Sequence, residues 1–210
     1  ELPFFARLMT WLHERELPVA CPLIDKNGQA LQNLSGKPAL LFPRLPGQHP
    51  RNTTVAHCAV IGDFLGCMHA ASVNYPEQRA NPRGTEWMQQ ARQRLVGILN
   101  AEDMALLDAQ IVNAKTLRTL PLPQGLIHGD LFHDNALFNG EQLCGVIDFY
   151  NACSDMLALD LAIVINDWCA LTDGGVDAER AQTLLASYNA QRSMTALEHE
   201  HWQSVLQIGR

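Results

Sequence analysis

No two cysteines in this chain stand at C-x-x-C spacing, although it has six of them, Cys21, Cys58, Cys67, Cys144, Cys153 and Cys169. That removes the simplest structural zinc arrangement. Most sit among apolar neighbours, where a free cysteine behaves as a small buried hydrophobe, so reduced thiols in a cytoplasmic protein are expected. Lysine and arginine are also scarce and form no run: 15 stand against 22 acidic residues, for a formal net charge of −7. Nucleic-acid phosphates want a basic face, so a nucleic-acid partner is excluded as an expectation. Long apolar runs are missing too, and no membrane association is expected. The longest candidate, Met156 to Leu171, is broken by Asp160, Asn166 and Asp167, short of the roughly 20 apolar residues of a span. The opening Glu1-Leu2-Pro3 lacks a basic region followed by an apolar run, so no signal peptide is read there.

What remains is an ordinary globular composition, 47% hydrophobic over 210 residues, enough for one large domain or two small ones. Phe4, Phe5, Leu8, Met9 and Leu12 recur at helical spacing until Leu17-Pro18. Short strands are expected at Cys21 to Asp25 and Pro38 to Phe42, with a hairpin-type turn at Lys26-Asn27-Gly28. Pro43-Arg44-Leu45-Pro46-Gly47 is a stiff connector and marks the expected domain boundary. Helices follow at about 53–68, 85–99 and 102–117, separated by a polar loop from Ser72 to Arg83. A strand at Leu126-Ile127 and a hairpin around Asn139-Gly140 lead to an apolar helix over 157–171 and two closing helices, 178–189 and 195–208. Trp87 and Trp202 fall at core spacing within helices and are given no role, and His69 closes an amphipathic one as a packing or capping residue.

Chemistry concentrates in two strings. Residues 127–135 read I-H-G-D-L-F-H-D-N, and 145–149 read G-V-I-D-F. They place an aspartate, an asparagine five residues on and a second aspartate thirteen residues later at the ends of short apolar strands. Phosphoryl transfer needs such a set: Asp130 to orient and deprotonate an attacking hydroxyl, Asn135 and Asp148 to hold the Mg²⁺ that bridges nucleotide phosphates. Asp and Asn are also common turn residues. The full combination, H-G-D-x-x-x-x-N, hairpin, then I-D-F, is far more specific than either part.

Together with Asp160-Leu161-Ala162, these strings resemble the aminoglycoside-phosphotransferase-like kinases, small-molecule relatives of protein kinases. G-D-L-F-x-D-N, I-D-F-Y-x-A-C and N-D-W-C, with E-L-P-F-F, Leu34 to Leu41 and R-L-P-G-Q, are similar to the bacterial homoserine kinase branch of that superfamily. The resemblance covers nearly the whole chain. It implies an α+β, protein-kinase-like fold, with a partial small lobe over 1–42 and a mainly helical large lobe over 43–210 that carries the catalytic β-hairpin. It implies ATP and Mg²⁺ as cofactors and L-homoserine as a small-molecule partner, phosphorylated to O-phospho-L-homoserine on the way to threonine. Asp130 would be the catalytic base, and Asn135 and Asp148 the metal ligands. His128 would brace the loop. Asp160 would cap its helix or bond the loop backbone. Phe42 to Gly47 resembles the kinase hinge: Pro43, lacking an N–H, offers only its carbonyl to the adenine edge, Leu45 is left as the donor, and Phe42 shapes the pocket.

An acidic residue beside Trp168 in an apolar stretch is costly unless paired. Asp167 with an aromatic wall from Trp168 could therefore bind the acceptor's ammonium, or Asp167 could lie on a solvated face with Trp168 packed inward. Arg44, His133 or His69 could meet its carboxylate, and the sequence does not choose. His133 stands where the branch more often has arginine. The acceptor could also be another amino alcohol or an aminoglycoside, or the chain a non-catalytic binding module. A kinase of this type carries a glycine-rich loop and a strand lysine before its first long helix, whereas Lys26 and Lys37 here lie downstream of that helix. The expectation is a piece of a longer gene product, shortened at both ends. Oligomeric state is not legible.

Overall fold

The computed structural model describes residues 1–209 and is α+β, with eight α-helices and three two-stranded antiparallel sheets among them. Helix α1 (Leu2–His13) starts with proline in its first turn, where the missing N–H costs nothing. Strands β1 (Gln32–Leu34) and β2 (Lys37–Ala39) form a hairpin closed by Ser35 and Gly36, both at positive φ. The two consecutive left-handed residues match the right-handed twist of the strands. The segment expected as a strand at 21–25 is instead extended chain outside any ladder. Pro18 and Pro22 remove donors there, leaving single bonds such as Ala20 N–H to Val146 O (3.0 Å) and Leu23 N–H to Leu41 O (2.7 Å). The turn at Asp25 to Gly28 does form, but without flanking strands.

Helix α2 (Val55–Ser72) is the axis of the molecule. Thr54 caps it by accepting from the His57 N–H. Among the described residues it is the helix long and apolar enough, by length and composition, to cross a bilayer. The helix that meets this measure is therefore α2 rather than the expected 156–171, and its buried residues lie in the core. Gly62 and Gly66, one turn apart, let it approach α6 (Ala178–Gln191): a methyl group on Gly66 would lie 2.7 Å from Tyr188 O. Helices α3 (Thr85–Arg94) and α4 (Ala101–Thr119) pack on each other. The expected extension of α3 to residue 99 fails because the chain reverses at Gly97, φ 81°.

Strand β3 (Gln124–Ile127) pairs with β6 (Cys153–Met156), and β4 (Ala136–Asn139) pairs with β5 (Gln142–Val146) around the expected Asn139-Gly140 turn. Helix α5 (Leu157–Trp168) follows β6 directly and is apolar nearly all round, as its position requires. Leu161, Val164, Ile165 and Trp168 enter a cluster shared with α1, α2 and α6. Leu157, Ala158, Leu159 and Ala162 enter a second cluster with α8 (Trp202–Ile208). The final expected helix is split, α7 (Ala196–Glu200) turning into α8 at His201.

Candidate active site

The loop between β3 and β4 is held from several directions. The buried Asp160 carboxylate accepts the His128 N–H (2.7 Å) and the Gly129 N–H (2.8 Å). Of the two readings of Asp160, the geometry is the one in which it bonds the loop backbone. Burial alone would raise its pKa, but the hydrogen bonds from His69 and from the backbone N–H of His128 outweigh that and hold it below the usual carboxylate range. His128 is wholly buried and donates from Nε2 to Ile147 O (3.0 Å), tying the loop to the end of β5. Burial lowers its pKa, and its Nδ1 has no partner. It braces the loop as a neutral ring.

Asn135 is hydrogen-bonded to the backbone of Asp130 and to that of Ile147, the residue before Asp148. Asn135 Nδ2 donates to Asp130 O (2.8 Å), and the Ile147 N–H donates to Asn135 O (3.0 Å). Asp148 follows at φ 63°, ψ 54°, a left-handed conformation unusual for a residue with a Cβ. The Asp130 carboxylate accepts from Asn151 Nδ2 (2.8 Å), an orienting contact that sequence reasoning missed although Asn151 lies inside the I-D-F-Y-N-A-C string. With its amide nitrogen engaged, Asn135 presents its side-chain oxygen. Asp148 has no ion-pair partner among the described residues. An amide oxygen and a free carboxylate are hard donors of the kind that suit Mg²⁺, which keeps waters and phosphate oxygens as further ligands. Among the described residues no three His, Cys, Asp or Glu side chains gather as a metal cage.

Two cavities flank these residues. One of about 680 Å³ has Asp130 on its wall, with Arg83, Trp87, Phe132, Asn151 and Asp167. The other, about 260 Å³ and mainly apolar, is lined by Phe42, Pro43 and Leu45 with Met9, Leu137 and Asp148. The three residues expected at a hinge thus line the same cavity as Asp148, and the Leu45 N–H has no backbone partner among the described residues. A flat apolar ring with an edge acceptor would fit such a slot.

The reading of Trp168 as a substrate-facing wall is corrected. Its side chain is fully buried, and its Nε1–H donates to Leu131 O (3.0 Å). Its neighbour Asp167 accepts from the His133 N–H (2.6 Å) and from His133 Nδ1 (2.9 Å). The two residues read separately as substrate ligands are paired with each other. His69 is also withdrawn from the acceptor: it is fully buried, donating to Asp160 (3.2 Å) and accepting from the Tyr188 hydroxyl (2.8 Å). Trp87, read as core, is 44% exposed and lines the larger cavity. No residue of α3 is buried, so apolar spacing there had no core to report on.

The chain is similar in sequence and in fold to known proteins. Homoserine kinase of Pseudomonas aeruginosa is 46% identical over 210 residues, 99% of this chain and 66% of the relative. That of Methylobacillus flagellatus is 42% identical over 208 residues, covering 99% and 65%. The chain therefore spans a little under two thirds of the length of these relatives. Among solved structures, amicoumacin kinase hAmiN, in complex with AMP-PNP, Ca²⁺ and Ami, superposes with a TM-score of 0.72 at 18% identity, over 96% of this chain and 65% of that one. Aminoglycoside phosphotransferase APH(3'')-Id from Streptomyces rimosus, in complex with ADP and streptomycin, gives 0.69 at 18% identity, over 99% and 80%. The likeness is one of fold, which is kinase-like. Residues 1–197 match the sequence profile described as "Phosphotransferase enzyme family". With the profile spanning nearly the whole chain and the backbone following those kinases, the chain belongs to the phosphotransferase enzyme family.

Proposed function

We propose that this chain carries the acceptor and metal sites of an ATP-dependent kinase that phosphorylates the side-chain hydroxyl of L-homoserine. The observation that carries the reading is the Asp130 carboxylate, oriented by Asn151 on the wall of the 680 Å³ cavity, in a sequence 46% identical to a homoserine kinase. Asp130 holds the acceptor hydroxyl in line and takes its proton as oxygen bonds to the γ-phosphorus and ADP leaves. Asn135 and Asp148 hold Mg²⁺, which when bound neutralises charge on the phosphate oxygens. Phe42, Pro43 and Leu45 seat the adenine, with the Leu45 N–H as donor and the Pro43 carbonyl as acceptor. Asp167, on the cavity wall and paired with His133, is the carboxylate available to the acceptor's ammonium. The connector at 43–47 divides a partial small lobe, 1–42, from the large lobe, 43–210. The proposed setting is the cytoplasm, in keeping with six free thiols.

The test is ADP release by the full-length protein against a panel of amino alcohols and an aminoglycoside, with the product identified by phosphorus NMR. Homoserine should give the highest kcat/KM and an O-phosphate. Phosphorylation of another acceptor with no response to homoserine would replace this reading by the alternative acceptor; no ADP release with any acceptor would favour a binding module.

A further inference from the structure

The larger cavity is lined by two acids of the loop system, Asp130 and Asp167, and by two cations, Arg83 and Arg118. The cations differ in what they already hold. Arg118 donates to the buried Asp155 (2.8 Å) and to Ala114 O (3.3 Å). Arg83 has no carboxylate partner among the described residues, and of its nitrogens only the backbone N–H is bonded, to Asn81 Oδ1 (2.8 Å). A guanidinium on a cavity wall with its five donors uncommitted is a ready receptor for a planar anion.

The segment that presents it is fixed to the same strand that leads into α5. Ser154 N–H donates to Arg79 O (2.7 Å), and the Arg79 guanidinium reaches Ala152 O (3.0 Å). Asn81 Nδ2 donates to Asp155 (2.6 Å), so Asn81 joins the Arg118–Asp155 pair on one side and the Arg83 backbone on the other. The Gly84 N–H closes the turn on Asn81 O (3.2 Å). Arg83 therefore stands on a pinned turn, on the wall of a cavity that also carries the acids Asp130 and Asp167.

We propose that Arg83 is the specificity-determining residue that binds the α-carboxylate of an amino-acid acceptor. The inference rests on the proposed phosphorylation of homoserine and deepens it. A carboxylate placed beside Asp130 and Asp167 without a cation would meet like charge in a partly enclosed space, which is costly. The other candidates are spent or misplaced: His133 is paired with Asp167, His69 is buried on Asp160, and Arg44 does not line the cavity. Trp87, one turn into α3, supplies an apolar wall beside Arg83.

The experiment compares L-homoserine with 3-aminopropan-1-ol, which keeps the hydroxyl and the ammonium and lacks the carboxylate, in full-length wild type, Arg83→Gln and Arg83→Lys. Arg83→Gln should raise KM for homoserine by about 100-fold with kcat and KM for ATP within threefold, and should move kcat/KM for 3-aminopropan-1-ol by less than threefold. Arg83→Lys, a point charge without the fork, should fall between, with a loss of about tenfold. Equal losses on both acceptors, or an unchanged KM for homoserine in Arg83→Gln, would overturn the assignment while leaving the homoserine reading intact. A wild type that phosphorylates 3-aminopropan-1-ol but not homoserine would remove that reading and this one with it.

Discussion

Asp160 and Asp167 lie seven residues apart on one face of α5, and their carboxylates accept N–H groups from the two ends of the same loop. At about 100° per residue, seven positions complete two turns to within ~20°. Trp168, one further on, donates to Leu131 O between them. A single apolar helix thus fixes the backbone on both sides of Asp130, and its two acids are paired with loop N–H groups rather than left as buried charge. The position of the proposed base is a property of α5 as much as of the loop.

Removing one acid from this brace should be severe. Asp160→Ala would leave the His128 and Gly129 N–H groups and the His69 Nε2–H without an acceptor in a wholly buried space. A loss of about 3–5 kcal/mol is expected, measured by urea unfolding with coincident fluorescence and circular dichroism. A loss under 1 kcal/mol would mean that water or another group replaces the carboxylate.

Trp168→Phe keeps most of the buried volume, removes the bond to Leu131 O and leaves a small void. Stability should fall by about 1–2 kcal/mol, with KM for homoserine unchanged. A KM raised tenfold at full saturation with ATP would restore Trp168 to the substrate wall.

Asn151→Ala should lower kcat by about 10- to 100-fold through disorder of the Asp130 carboxylate, while the dissociation constant for ATP, read by calorimetry, stays within threefold. Equal damage to both would place Asn151 in the nucleotide site instead.

Acid stability follows from His128. Its folded pKa is lowered by burial, so the unfolded chain binds the extra proton first, below its ordinary value of about 6.5. Stability from this group is full above that value and falls as pH drops through it, by up to ~1.4 kcal/mol per pH unit. Asp160, depressed when folded, adds a loss only at much lower pH, below the ordinary carboxylate range. His128→Gln should flatten the slope just below pH 6.5 in urea titrations; an unchanged slope would assign it to another histidine.

How much of this could be read from the chain depends on the range of the interaction. Asp130, Asn135 and Asp148 were visible as a set because a loop and a two-residue hairpin fix their spacing locally. The hairpin at Asn139-Gly140 announced itself for the same reason. Asp160 was narrowed to a choice between a cap and a loop anchor, which only the contact to His128 and Gly129 decides. Trp87 was misread as core and Trp168 was left open between an acceptor wall and inward packing, since one apolar residue in a helix looks like another until the facing element is known. The polar stretch before α3 carried no periodicity at all, yet Asn81 and Arg79 pin it to β6. Gly62 and Gly66 drew no reading from the sequence, and they are where α2 meets α6.

The most direct measurement is single-turnover transfer from labelled ATP to L-homoserine by full-length Asp130→Asn with saturating Mg²⁺. The isosteric amide keeps the Asn151 side unchanged in size but cannot take the hydroxyl proton. A fall in the transfer rate of about 10³-fold, with ATP affinity within threefold of wild type, is the predicted result. Transfer within tenfold of wild type would contradict the assignment of Asp130 as the base.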